Sequence, residues 1–261
     1  MQEISSRDNA RYKHLRHLVE SARERRVSGQ ALLDGVHLVD AALHAGLALR
    51  ELWFSSSRQT QPEHQKLARR ASPAPCFVLP EALFKQLSPV ETPSGVLALI
   101  DVPPVSGRPD PGADWLLLDG VQDAGNVGTL MRTAAAAGVT EVLLSAQCAQ
   151  VWSPKVLRAA MGAHFHLRLH EHCDLSAALA SYSGQVAVTR LDAARSLFEL
   201  DLRTPVAWIF GAEGQGVSEP LRQRADLGVL VPMAAGVESL NVAACAAVCL
   251  FEQRRQRLRA N

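Results

Sequence analysis

Three short stretches of this 261-residue chain carry residues that could do chemistry. The first is IFGAEGQGVS, from Ile209 to Ser218, with glycines at 211, 214 and 216 around Glu213. A dinucleotide-binding turn spaces its glycines G-x-G-x-x-G, and a P-loop follows its last glycine with Lys and then Ser or Thr. Here the order is G-x-x-G-x-G and Val217 comes next, so neither phosphate cradle fits. Glycines at this density still let backbone approach a ligand closely. Glu213, set between them, is poorly placed for a carboxylate that is merely solvated. The second stretch is DGVQDAGNVGTLMRTAAAAG. Asn126 stands where a helix begins and can cap it. Arg132, six residues on, interrupts a run of small and apolar residues; taken alone, a snorkelling surface arginine explains it about as well. The third is VPMAAGVESLNVAACAAV, where Ser239 and Asn241 bracket Leu240 at the start of the last helix. Ser239 is the expected cap of that helix, and Asn241, inside the first turn, is less easily explained by capping.

The residues singled out in these loops are two Asn, one Ser, one Glu and one Arg, beside many backbone groups. The histidines lie elsewhere and G-x-S-x-G is absent, so a Ser-His-Asp nucleophile has no support. No cluster has metal-ligand spacing, and no metal is expected. The set suits an organic cofactor that brings its own reactive group and is oriented by the protein.

The elements that must position these loops alternate. DWLLLDG, EVLLS, HLRLH, QVAVTR, PVAWIFG and LGVLVP read as strands. Between them lie helices ending at Gly138, at SPKVLRAAMGA, at DLSAALASYS and at SEPLRQRA, and a long helix over SLNVAACAAVCLFEQRRQR closes the chain. Unbroken apolar strands alternating with helices imply a parallel sheet covered on both faces. Ligands of such sheets bind outside the C-terminal strand ends, which puts 119–126, 211–216 and 232–241 on one rim. The first hundred residues read as mixed α and β: a helix over residues 8–26 with Leu15, Leu18, Val19 and Ala22 on one stripe, then ALLDG, VHLVDAALHAG, LRELWFS, PCFVL, PEALFKQL and GVLALI. DVPPVSGRPDPGAD, with four prolines and two glycines, reads as a linker. The expected organisation is 1–100, a linker at 101–113, and 114–261.

Composition narrows the class. Hydrophobic residues make up 48% and the net charge is +1, so a large core is available and no overall field draws the chain to nucleic acid or membrane. Charge is local instead. Residues 7–26 hold seven cations, among them Arg7, Arg11, Lys13 and Arg16, against three carboxylates, and the tail carries Arg254, Arg255, Arg257 and Arg259. Such patches can track phosphates, although a solvated helix face explains each one alone. The five cysteines are scattered without a C-x-x-C, and Cys245 and Cys249, one turn apart in an apolar run, read as core packing. No signal core and no span long enough for a bilayer is present; a reducing cytoplasm fits best.

In order along the chain, NVGTLMRTAAAAG, IFGAEGQGVS and VPMAAGVESLN resemble the three motifs N-x-G-x-x-x-R-x-A, G-x-E-G-x-G-[LVM]-S and [IV]-P-M…S-L-N. These belong to the TrmH (SpoU) family of S-adenosylmethionine-dependent RNA ribose 2′-O-methyltransferases, within the SPOUT class. SPKVLRAAMGAHF is similar to the segment between the first two motifs. The resemblance implies an α/β fold whose C-terminal parallel-sheet domain holds a trefoil knot, preceded by a small ribosomal-protein-like α/β domain that binds RNA. It implies a homodimer, S-adenosylmethionine held by Gly211, Val231 and Leu240 with Gly216 and Met233, and a catalytic set of Arg132, Asn126, Glu213, Ser239 and Asn241. Arg7, Arg11, Lys13 and Arg16 would meet RNA. Ribosomal RNA is favoured over tRNA as substrate; a catalytically silent RNA-binding or assembly factor, or a nucleotide-dependent enzyme of the doubly wound class, would be the alternatives.

Overall fold

A computed structural model describes residues 1–88 and 90–259. They divide into two compact units, Met1–Pro104 with Trp152–Phe165, and Val105–Val151 with His166–Asn261.

The first unit contains β1 (Gln2–Glu3), α1 (Ala10–Glu20), α2 (Ala22–Ser28), β2 (Gln30–Asp34), α3 (Val36–His44), β3 (Leu49–Ser55), α4 (Pro62–Arg70), β4 (Cys76–Leu79), α5 (Glu81–Leu87) and β5 (Val96–Asp101). Among the described residues its sheet runs β1-β4-β3-β5-β2, parallel from β1 to β3 and antiparallel from β3 to β2. The single helix expected over residues 8–26 is two helices. Ser21 takes an extended conformation, and its hydroxyl accepts from Glu24 N, so one residue ends α1 and caps α2. Tyr12, Leu15 and Leu18 of α1 pack into a core with Trp53, Phe77, Leu97 and Leu99. The helix α4 carries no apolar stripe to read, since only His64 and Leu67 are buried.

The second unit contains β6 (Trp115–Asp119), α6 (Ala124–Ala137) and β7 (Glu141–Leu144). Next comes α7 (Pro154–Ala160), which groups with the first unit although strands of the second flank it in sequence. The second unit resumes with β8 (Arg168–His170), α8 (Leu175–Leu179), β9 (Gln185–Thr189), β10 (Arg195–Ser196), β11 (Val206–Gly211), α9 (Glu219–Arg222), β12 (Leu227–Leu230) and α10 (Val242–Leu258). The sheet order is β10-β12-β9-β11-β6-β7-β8, and its pairs are parallel. Trp115, Leu117, Val188, Ala207 and Ile209 pack on one face against Leu175 and Leu179 of α8 and Leu221 of α9. On the other face α6 and α10 pack together, and the Trp208 indole donates to Gln253 Oε1 at 2.7 Å. Burial on both faces is why these strands read as unbroken apolar runs.

The chain moves outward from β6 through β7 to β8, then crosses to β9, and β11 fills the place between β9 and β6. That reversal opens a crevice at the C-terminal strand ends. Gly211 at the end of β11 stands in register with Asp119 at the end of β6.

Candidate active site

The rim of the second unit brings Asn126, Glu213 and Asn241 into one hydrogen-bonded group, and both helix caps differ from the sequence expectation. Asp123, not Asn126, caps α6: its Oδ1 accepts from Asn126 N at 2.7 Å. Because the cap lies three residues earlier, the Asn126 side chain is released from capping. Asn241, not Ser239, caps α10, its Oδ1 accepting from Ala243 N at 2.9 Å and Ala244 N at 3.2 Å. With its oxygen committed, the Asn241 amide nitrogen donates to Asn126 Oδ1 at 3.0 Å and Glu213 Oε1 at 3.2 Å. Asn126 Nδ2 donates to the same Glu213 oxygen. Glu213 thus clamps the two asparagines, and three loops far apart in sequence are tied by side chains alone.

The glycine loop is shaped by its own backbone. A Cβ on Gly211 would lie 2.1 Å from the carbonyl carbon and oxygen of Gly216, so no other residue fits there. Gly214 (φ +85°) and Gly216 (φ +70°) occupy the left-handed region that glycine alone enters freely. Gly216 N donates to Ala212 O at 2.8 Å, and Ser218 N to Asp119 Oδ2 at 2.8 Å, fastening the loop's far end to β6.

A cavity of about 680 Å³ opens between this loop, the end of β9 and the segment leading to α10. Gly211, Gly216, Val231, Met233 and Leu240 all line it, as do Glu213, Ser239 and Asn241. Its size falls in the usual range for small-molecule sites, roughly 300–1,000 Å³, and its apolar walls with a few polar groups are the usual composition. Those walls and the exposed backbone of the glycine loop fit a nucleoside-sized cofactor. Arg132 is not part of the wall. It is exposed on α6 and forms no hydrogen bond or ion pair with any described residue. Cys245, read as core, also lines the cavity while Cys249 behind it is buried. A hydrogen bond with Cys249 draws the Cys245 thiol down to about 7.

The basic residues are mostly spent within their own units. Arg11 pairs with Glu51 and sits 5.0 Å from the Phe77 ring centre; Lys13 pairs with Asp8 at 2.8 Å and Arg16 with Glu20 at 2.8 Å. Arg7 forms no ion pair among the described residues. In the tail, Arg254 donates to Ala137 O at the end of α6, Arg255 pairs with Glu252, and Arg257 pairs with Asp114. The tail arginines therefore fasten α10 to α6 and to the start of β6. Sequence reasoning passed over Asp123 and Asp119, although an aspartate three residues before Asn126 is itself a capping signal.

Residues 115–251 match the SpoU rRNA Methylase family, and residues 9–98 match the MRM3-like substrate binding domain. The 23S rRNA (guanosine(2553)-2′-O)-methyltransferase RlmP of Bacillus subtilis is 31% identical, the match covering 97% of this chain and all of that protein. An uncharacterized tRNA/rRNA methyltransferase of Synechocystis sp. is 35% identical over 97% of this chain and 93% of its own length. Among solved structures, an RNA 2′-O ribose methyltransferase superposes with TM-score 0.84 at 30% identity, covering 98% of this chain and all of that one. An AdoMet-bound rRNA methyltransferase from Sinorhizobium meliloti superposes with TM-score 0.84 at 26% identity, covering 97% of each chain. Fold and rim together define an RNA ribose 2′-O-methyltransferase that uses S-adenosylmethionine. The chain belongs to the SpoU rRNA methylase family.

Proposed function

We propose that this chain methylates the 2′-hydroxyl of a guanosine in large-subunit ribosomal RNA. The observation that carries the reading is the Asn126–Glu213–Asn241 group, which joins all three motif loops and contributes Glu213 and Asn241 to the wall of one cavity. The choice of RNA is supported by relatives matched over nearly their whole length and named as 23S rRNA guanosine 2′-O-methyltransferases. A structure concerned with methylation of C/U34 on tRNA covers only 58% of this chain, with TM-score 0.51.

Gly211, Gly216, Val231, Met233 and Leu240 would hold S-adenosylmethionine, whose sulfonium supplies an already activated methyl group. The protein's task is then alignment and management of the proton on the sugar hydroxyl. Arg132 has no partner among the described residues and is free to meet an anion. A guanidinium keeps its proton in proteins, so Arg132 serves as a cation and not as a base. It orients the hydroxyl or a neighbouring phosphate and stabilises the oxyanion as it develops. Asn126 positions the nucleotide, Glu213 holds the two asparagines in place, and Asn241 and Ser239 shape the entrance. The first unit would bind RNA, with Arg7 the least committed of its four candidate cations. We read the enzyme as a cytoplasmic homodimer, and the loops after β11 and β12 as the family's trefoil knot. Mapping ribose methylation in ribosomal RNA from cells with and without this chain tests the proposal: one 2′-O-methylguanosine should vanish with it. An unchanged rRNA map beside a lost tRNA methylation would overturn it.

A further inference from the structure

Two polar clusters line the cavity. In one, Glu213 is committed to Asn126 and Asn241. In the other, Arg190 and Asp192, just past the end of β9, stand with Arg222 of α9 on the cavity wall. Arg190 Nε and Nη2 bond the two carboxylate oxygens of Asp192 at 2.9 and 2.8 Å, and Arg222 pairs with Glu219. Hydrogen bonding from Arg190 lowers the pKa of Asp192, and the charge of Arg222 adds to the effect. The two pairs, Arg190 with Asp192 and Arg222 with Glu219, carry no net charge.

A neutral ion pair at the wall of a mostly apolar cavity is matched by a ligand end that is itself a neutral pair of charges. Arg190 and Asp192 are exposed (side chains 42% and 72%), so water weakens their attraction and opening the pair costs little. A carboxylate can replace Asp192 on the planar guanidinium fork, and the released Asp192 can take an ammonium; every charge stays paired. We infer that Arg190 and Asp192 form the subsite for the zwitterionic amino-acid end of the cofactor, Arg190 taking its carboxylate and Asp192 its ammonium. The inference rests on the cofactor reading of this cavity.

Calorimetry with two nucleosides tests it. S-adenosylhomocysteine keeps the amino-acid end, whereas 5′-methylthioadenosine lacks it. The wild-type chain should bind the first more tightly by about tenfold or more, the size expected of charge-assisted hydrogen bonds. In Arg190→Ala and in Asp192→Ala that preference should shrink to about threefold or less while 5′-methylthioadenosine affinity stays within about twofold, which also shows the cavity intact. Arg222→Ala, which leaves the Arg190–Asp192 pair in place, should keep the preference. Equal weakening of both nucleosides by Arg190→Ala, an unchanged preference, or a preference lost only in Arg222→Ala would overturn the assignment. Failure of the wild-type chain to bind either nucleoside would instead overturn the cofactor reading beneath it.

Discussion

Arg11 on α1 and Arg132 on α6 are both arginines on exposed helix faces, and the fold treats them in opposite ways. Arg11 is paired with Glu51 and lies against Phe77. Arg132 is given no partner among the described residues. The same contrast separates the two asparagines of the rim: Asn241 spends its oxygen on a helix cap, while Asp123 caps α6 and frees Asn126. Residue type alone does not mark a functional group. What marks it is whether the surrounding structure has satisfied it, because a charge already paired has less to offer a substrate.

The contrast can be broken most directly at Arg132. Arg132→Ala should lower kcat by about a thousandfold, the scale of losing a stabiliser of a developing oxyanion. S-adenosylhomocysteine affinity should stay within about twofold, since Arg132 does not line the cavity. A variant that turns over normally, or that fails to bind the nucleoside, would place Arg132 beside Arg11 as a structural residue. Next in size is Gly211→Ala. Its new methyl would collide with the Gly216 backbone, so we expect a stability loss of roughly 1–3 kcal/mol by denaturant titration, together with loss of nucleoside binding. Glu213→Ala should be milder. It leaves two amide nitrogens in reach of water, so stability should fall by only about 1 kcal/mol, while kcat/KM falls about tenfold as Asn126 loses its anchor. The smallest effect sharpens the comparison within α1 and its approach. Arg7→Ala should reduce the salt dependence of RNA binding by about one phosphate contact without changing the melting temperature. Arg11→Ala should do the reverse, lowering stability because Glu51, whose side chain is 11% exposed, loses its cation.

Much of this molecule could be read before any coordinates. The six apolar runs of the second unit are strands, and their C-terminal ends carry the three motif loops on one rim, as the alternation required. Gly138 ends α6 in the left-handed conformation that its position suggested. Local readings failed where two residue types compete for one job. Asp123 and Asn126 can both cap, as can Ser239 and Asn241, and one helical turn decides which of each pair is left for the site. The break at Ser21 was hidden because Ala22 continues past it the stripe of Leu15 and Leu18, which lie in the core cluster, and Val19, which packs against it.

The sequence by itself determined the alternation of elements, the residue content of the three loops and the glycines without which the 211–216 turn cannot close. These follow from side-chain periodicity and from backbone sterics, and both act over a few residues. The tertiary structure alone decided that Glu213 meets Asn126, 87 residues away, and Asn241, 28 residues away. It also decided that Arg190 and Asp192 face the same cavity as Leu240. Those encounters depend on β11 entering the sheet between β9 and β6, and strand order is set by long-range burial that no short window of sequence contains.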